Sequence, residues 1–327
     1  MSNKQAAKKT DQLKEYFEKD SRNFKLEKPR PNRDFLGRGG FGITYLFREE
    51  QEDGTLKRKF VVKFATRSTE GTSNEMQTEI RIAKKLYGAL HIAQPIVDEG
   101  EMRKLDNLPE NADKLFSLLL CTEFLPNGTL FTFRMKAMNA EQPIPNRILW
   151  MIFLCLVRMV IAMANPPDRG YRAETAAPQL EELAEPGYYQ IEHGDLNNPS
   201  NLVFGDFDII EHNLVPIVKC LDFGMFMSQL FAYKGMPNPK ETPDPKVLFP
   251  NLDMELYDLA GRCAVDITKD SNYFSNPDRP SLTELFTAVR NAVTTKTGPD
   301  HFLGLPFTHP ETDEEIQKYV QKMILSA

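Results

Sequence analysis

An α+β fold is predicted, a small antiparallel sheet carrying one helix and then a mainly helical region, and three stretches of the sequence predict it. The first is β-prone and broken by glycines: Phe35-Leu36, Gly37-Arg38-Gly39-Gly40-Phe41-Gly42, then Ile43-Thr44-Tyr45-Leu46-Phe47. The second, Asn74 to Leu90, sets Met76, Ile80, Ala83 and Leu86 or Tyr87 at spacings of three and four. The third is the almost wholly apolar run from Ile148 to Ala164, which reads as a central buried helix.

In chain order, residues 1–33 form a charged extension in which Leu13, Tyr16, Phe17 and Phe24 share one helical face, which predicts a short packing helix. From Asp34 the pattern is strand, glycine turn, strand; Asp53-Gly54 then marks a hairpin tip, and Phe60-Val61-Val62-Lys63-Phe64-Ala65 is a third strand. After the helix, Ile96-Val97 and Phe116–Cys121 predict two more strands, the second apolar enough to be buried. Thr122-Glu123-Phe124-Leu125-Pro126-Asn127-Gly128 closes this region, because Pro-Asn-Gly is strong turn punctuation. These signals divide the chain into 1–33, 34–125 and 126–327.

In the last division, Asn165-Pro166-Pro167 stops the apolar helix. Residues 166–190 read as an acidic insert whose Gln179-Leu180-Glu181-Glu182-Leu183-Ala184 is too polar for core. Helices resume from Asp253 to Asp266, and capping boxes at Ser281 with Glu284 and at Thr312 with Glu315 start two more. The last carries a helical stripe of Ile316, Tyr319, Val320, Met323 and Ile324, which predicts core packing.

Composition narrows the classes. With 41% hydrophobic and 10% aromatic residues the chain can build a core, and 40 Lys+Arg against 46 Asp+Glu gives a net charge of −6. That balance offers no general attraction to nucleic acid or to an anionic membrane, so neither partner is expected. Cys121, Cys155, Cys220 and Cys263 are widely spaced among apolar neighbours, which predicts buried free thiols and a reducing compartment. Met1 to Thr10 lacks the apolar core of a secretory signal, and the run from Ile148 is short for a bilayer and contains Arg158. The expectation is an intracellular protein, cytoplasmic or nuclear.

Three groups of residues carry chemistry. The first is His193-Gly194-Asp195-Leu196-Asn197-Asn198-Pro199-Ser200-Asn201-Leu202-Val203-Phe204, followed by Cys220-Leu221-Asp222-Phe223-Gly224. An acid on a short polar loop can orient a hydroxyl nucleophile, while an amide and a second acid hold the magnesium that spans the phosphates of ATP. The second is Lys63, an ammonium in an apolar strand; its position is costly unless it meets phosphate oxygens and a carboxylate. Glu79 on the next helix is the chosen partner and Glu75 the alternative. The third is Gly37, Gly39 and Gly42 with Phe41 at the tip, where glycines let backbone amides approach phosphate.

In this order, over residues 34 to 290, these motifs resemble those of the protein kinase-like superfamily. The resemblance implies a two-lobed fold, a small antiparallel sheet lobe and a mainly helical lobe, with ATP and Mg2+ bound between them. It implies Asp195 as the catalytic base and Asn201 and Asp222 as the metal ligands. Gly194 stands where Arg is usual, and the loop is one residue longer than the family's, so Asn201 is aligned by the apolar run after it. Asn198 and Ser200 remain weaker candidates. Nucleotide contacts fall on Gly37, Gly39, Gly40, Phe41, Gly42, Thr44 in place of the usual Val, Val61 in place of Ala, and Lys63. The hinge Thr122-Glu123-Phe124-Leu125 contributes backbone carbonyl and amide groups of Glu123 and Leu125. The leading implication is a Ser/Thr kinase acting on a protein substrate. His193-Gly194-Asp195-Leu196 also resembles aminoglycoside and choline phosphotransferases, which keeps a small-molecule acceptor as the alternative. The longer loop and the lack of an Ala-Pro-Glu triplet fit a third reading, a pseudokinase that binds partners.

Overall fold

The long hairpin follows from alternation: apolar side chains at every second residue give each strand one dry face. In the computed structural model β3 (Gly42–Glu50) pairs antiparallel with β4 (Leu56–Ala65), with Ile43 opposite Phe64 and Phe47 opposite Phe60. The structure describes residues 11, 15, 17, 23–28, 35–38, 42–65, 70–95, 119–167, 178–183, 202–210, 213–220, 251–263, 280–297, 299–302 and 311–325. It is a mixed α and β protein, with an antiparallel five-stranded sheet, a separate two-stranded hairpin and six α-helices among the described residues. By its internal contacts the chain divides into two compact units. One holds Met1–Gly88, Ala93–Phe124 and Pro167–Ala177; the other holds Ala89–Ile92, Leu125–Pro166 and Pro178–Ala327.

In the first unit the strand order is β1 (Phe24–Glu27), β3, β4, β5 (Leu119–Glu123), with β2 (Gly37–Arg38) also paired to β3. One face carries Ile43, Tyr45, Phe47, Phe60, Val62, Leu119 and Cys121, all buried. Phe17, helical and fully buried, closes that face, its ring 4.5 Å from Phe47 and 5.6 Å from Phe24. Phe24 does not share a helix with Phe17, as its spacing suggested: it lies in β1 opposite Glu49. Its ring reaches the same core by edge packing on Phe60 at 5.3 Å, and strand pairing outweighs a helical periodicity read from four residues. The hairpin tip turns at Gly54, whose φ of 82° suits glycine.

The helix α1 (Glu70–Lys85) begins and ends earlier than its apolar spacing suggested. Gly88 follows at φ 91° and donates its N–H to Gln94 Oε1 at 2.7 Å, a tertiary stop absent from the helical pattern. Met76 and Leu120 are buried together, with Ile80 and Ala83 against them, so α1 docks on the sheet face opposite Phe17.

In the second unit α2 (Leu130–Asn139) is capped by Thr129, and α3 (Asn146–Ala164) is buried along almost its whole length. By length and composition α3 is long and apolar enough to cross a membrane, yet 89% of its apolar window is buried inside the protein. Arg158 is fully buried on it, its guanidinium 5.6 Å from the Phe286 ring. Pro145 offers α3 no side-chain cap; instead the Glu311 carboxylate accepts from the N–H groups of Asn146 and Arg147, each at 2.8 Å. The helices α4 (Met254–Cys263), α5 (Leu282–Thr295) and α6 (Asp313–Val320) follow, the last two opened by the expected capping boxes. Ile316, Val320, Met323 and Ile324 are buried. Cys121 and Cys155 are buried and Cys263 is half-buried, and none of the three is in a disulfide.

Part of the acidic insert is core after all. Glu181 is buried, because its Oε1 accepts the backbone N–H of His91 at 2.8 Å and its Oε2 lies 2.5 Å from His91 Nδ1. Gln179 forms a parallel bridge to Ala89 and accepts the Leu90 N–H at 3.0 Å. A carboxylate can be buried when its oxygens are taken up in this way.

Candidate functional site

Strand registers decide which candidate residues meet. Gly37 lies opposite Thr44, Thr44 opposite Lys63, and Lys63 opposite Leu120; in the next row Leu46 lies opposite Val61 and Val61 opposite Thr122. Directly opposed residues of antiparallel strands share a face. Thr44, Val61, Lys63 and Thr122 therefore stand together, on the face away from the Phe17 core. Thr44, Val61 and Lys63 are half-buried and Thr122 is buried.

The same register brings Lys63 to Glu79. Leu120 packs against Met76, and Glu79 lies three positions further along α1, nearly one turn. Lys63 Nζ accordingly donates to Glu79 Oε1 at 2.6 Å, with side chains 30% and 34% exposed. Glu75, the alternative partner, is exposed. A lysine on a strand is thus paired with a helical carboxylate on a partly exposed sheet face.

Gly37 has a local reason to be glycine. A Cβ built there would sit 3.1 Å from Thr44 Oγ1, and that hydroxyl donates to the Gly37 carbonyl at 3.2 Å. Gly42 opens β3 and is buried. Gly39, Gly40 and Phe41 lie outside the described residues.

At the end of β5 the Glu123 N–H donates to the Gln94 carbonyl at 2.9 Å, and the Gln94 N–H donates to Glu123 Oε1 at 2.9 Å. The Glu123 amide is thus taken up by Gln94. Gln94 had no signal in the sequence; it bonds Gly88, six positions back, and Glu123, 29 positions on. Leu125 is buried and belongs to the second unit.

Asp195, Asn201 and Asp222 lie outside the described residues. The hairpin of β6 (Leu202–Ile210) and β7 (Asn213–Cys220) is described, and it pairs Leu202 with Cys220, the residues one after Asn201 and two before Asp222. The turn before α2 ties onto β6. Phe204 donates its N–H to the Gly128 carbonyl at 2.9 Å, Asn127 Nδ2 donates to the Gly205 carbonyl at 2.7 Å, and Thr129 bridges Val203. The pairing with β7 shifts between Phe204 and Phe207, a bulge at the residue whose carbonyl Asn127 takes. Among the described residues no group of three or more His, Cys, Asp or Glu is placed to hold a metal ion.

His91, Glu181 and Cys155 form a second ionisable cluster, within the second unit. Burial pulls the His91 ring toward neutrality, but the neighbouring Cys155 and Glu181 outweigh it and push its pKa up to about 9. Compared with known proteins, the chain matches no family model and no curated protein.

Proposed function

We propose that the chain is an ATP-dependent phosphotransferase with a two-lobed, protein kinase-like fold, acting most directly as a Ser/Thr kinase on a protein substrate. The observation that carries this reading is the 2.6 Å pair of Lys63 and Glu79 on a half-open sheet face, in one cross-strand row with Thr44 and Gly37. An ammonium on a sheet face beside a glycine-rich turn suits triphosphate oxygens, and a carboxylate behind it keeps it aimed. Thr44 and Val61 supply an adjoining surface for the base, and the Glu123 carbonyl an acceptor at its edge. Asp195 orients the acceptor hydroxyl and takes its proton as the oxygen attacks the γ-phosphorus; the bond from that phosphorus to the bridging oxygen breaks and ADP leaves. Asn201 and Asp222 offer the hard oxygen donors that magnesium prefers, and the ion would supply charge neutralisation on the phosphates.

A small-molecule acceptor is the second reading, favoured by His193-Gly194-Asp195-Leu196 and by Asn197, where a Ser/Thr kinase usually carries Lys. The deciding experiment incubates the full chain with labelled ATP, magnesium, a protein mixture and a metabolite pool. Label on protein supports the first reading and label on metabolites the second. ATP binding without any transfer would leave a binding scaffold, and no binding would end the proposal.

A further inference from the structure

Thr44 occupies the centre of the row Gly37, Thr44, Lys63, and its carbonyl and hydroxyl both bond to the segment that leads into the glycine turn. Its carbonyl accepts the Leu36 N–H at 2.8 Å, and its hydroxyl donates to the Gly37 carbonyl at 3.2 Å. Two consecutive residues, Leu36 and Gly37, are thereby fastened to one. The fit is reciprocal, since any side chain at Gly37 would come within 3.1 Å of the hydroxyl oxygen. A valine, the residue usual at this position, has the same branched shape but no proton to donate.

We infer that the Thr44 hydroxyl is a positioning group for the nucleotide: by pinning Gly37 it pre-orders the start of the glycine turn and so strengthens nucleotide binding. The inference rests on the proposed nucleotide site. A backbone already held at Leu36 and Gly37 loses less conformational freedom when a ligand binds beside it, and that saving appears as affinity. The hydroxyl acts through the backbone and not by touching the phosphates, because its one proton is already given to Gly37. One hydrogen bond of ordinary strength corresponds to about a fivefold change in a dissociation constant.

The test uses the full chain as wild type, Thr44→Val and Thr44→Ser. Three quantities are measured: affinity for a fluorescent ATP analogue, amide hydrogen exchange across residues 36–44 without nucleotide, and the thermal midpoint. The expected result for Thr44→Val is about fivefold weaker binding and faster exchange, with a midpoint close to the wild type's because valine's preference for strands offsets the lost hydrogen bond. Thr44→Ser, which keeps the donor, should bind and exchange like the wild type. A general structural defect would lower the midpoint along with affinity, and that result overturns the inference. So does binding by Thr44→Val within twofold of wild type, or a serine variant as weak as the valine one. A wild type that binds no nucleotide overturns the phosphotransfer reading and this inference with it. A wild type that binds while the valine variant binds equally well overturns this inference alone.

Discussion

Glu181 holds His91 twice, through the backbone N–H at 2.8 Å and through the ring at 2.5 Å, with both side chains buried. The pH dependence of this pair has a definite sign. The folded pKa of about 9 lies above the ordinary value of 6.5, so the stability it contributes is fully present below about pH 6.5 and is lost as pH rises through about 9. The size is on the order of 3 kcal/mol. Urea unfolding at pH 6 and pH 9.5 should show the wild type losing more stability than His91→Gln; equal losses in the two proteins would sink the assignment.

The insert gives a second test. Replacing residues 166–190 with a short Gly-Ser link removes Glu181 and leaves the buried His91 without its carboxylate. Breaking a buried ion pair from one side costs about 3 to 5 kcal/mol, so a large fall in the urea midpoint is expected. Glu181→Gln keeps an oxygen for the backbone N–H and should fall less. A loop replacement as stable as the wild type would contradict the docking seen at Gln179 and Glu181.

Lys63→Met should abolish transfer and weaken nucleotide binding while the protein stays folded. The pair with Glu79 is about a third exposed on each side, and ion pairs at that exposure contribute little to stability, about 0 to 1 kcal/mol. Glu79→Gln should weaken turnover less than Lys63→Met, because the ammonium survives without its support. Full activity of Lys63→Met in a labelled-ATP assay would remove the nucleotide-site assignment.

The proposed roles of Asp195, Asn201 and Asp222 are tested by paired substitutions. Asp195→Asn should lose turnover and keep ATP affinity, and Asp222→Asn should lose magnesium-dependent binding. Asn201→Ala should behave like Asp222→Asn, with Asn198→Ala close to wild type. The opposite pattern in binding titrations with and without magnesium would move the ligand to Asn198.

Phe17 belongs to the extension before the first strand, yet it is fully buried among Phe24, Phe47 and Phe60. Phe17→Ala should cost about 3 to 5 kcal/mol, the usual penalty for emptying a buried aromatic position. A calorimetric midpoint unchanged from wild type would show that the extension is dispensable.

Short-range information determined much of this protein. The capping boxes at Ser281 and Thr312, the turn at Gly54 and the apolar length of α3 depend on residues within a few positions of one another, where local geometry limits the choices. That Lys63 needs a carboxylate partner follows from an isolated charge in an apolar strand, whereas the choice of Glu79 over Glu75 rests on the resemblance of the segment that starts at Glu79. Tertiary structure alone decided the rest. Glu181 meets His91 from 90 positions away, and Glu311 caps α3 from 165 positions away. Both carboxylates look like solvated surface charge in the sequence, since burial of a charge depends on which donors the fold brings to it, and no periodicity records that. Phe24 changed from helix to strand for a related reason: its partners, Glu49 across the ladder and Phe60 across the core, lie far along the chain.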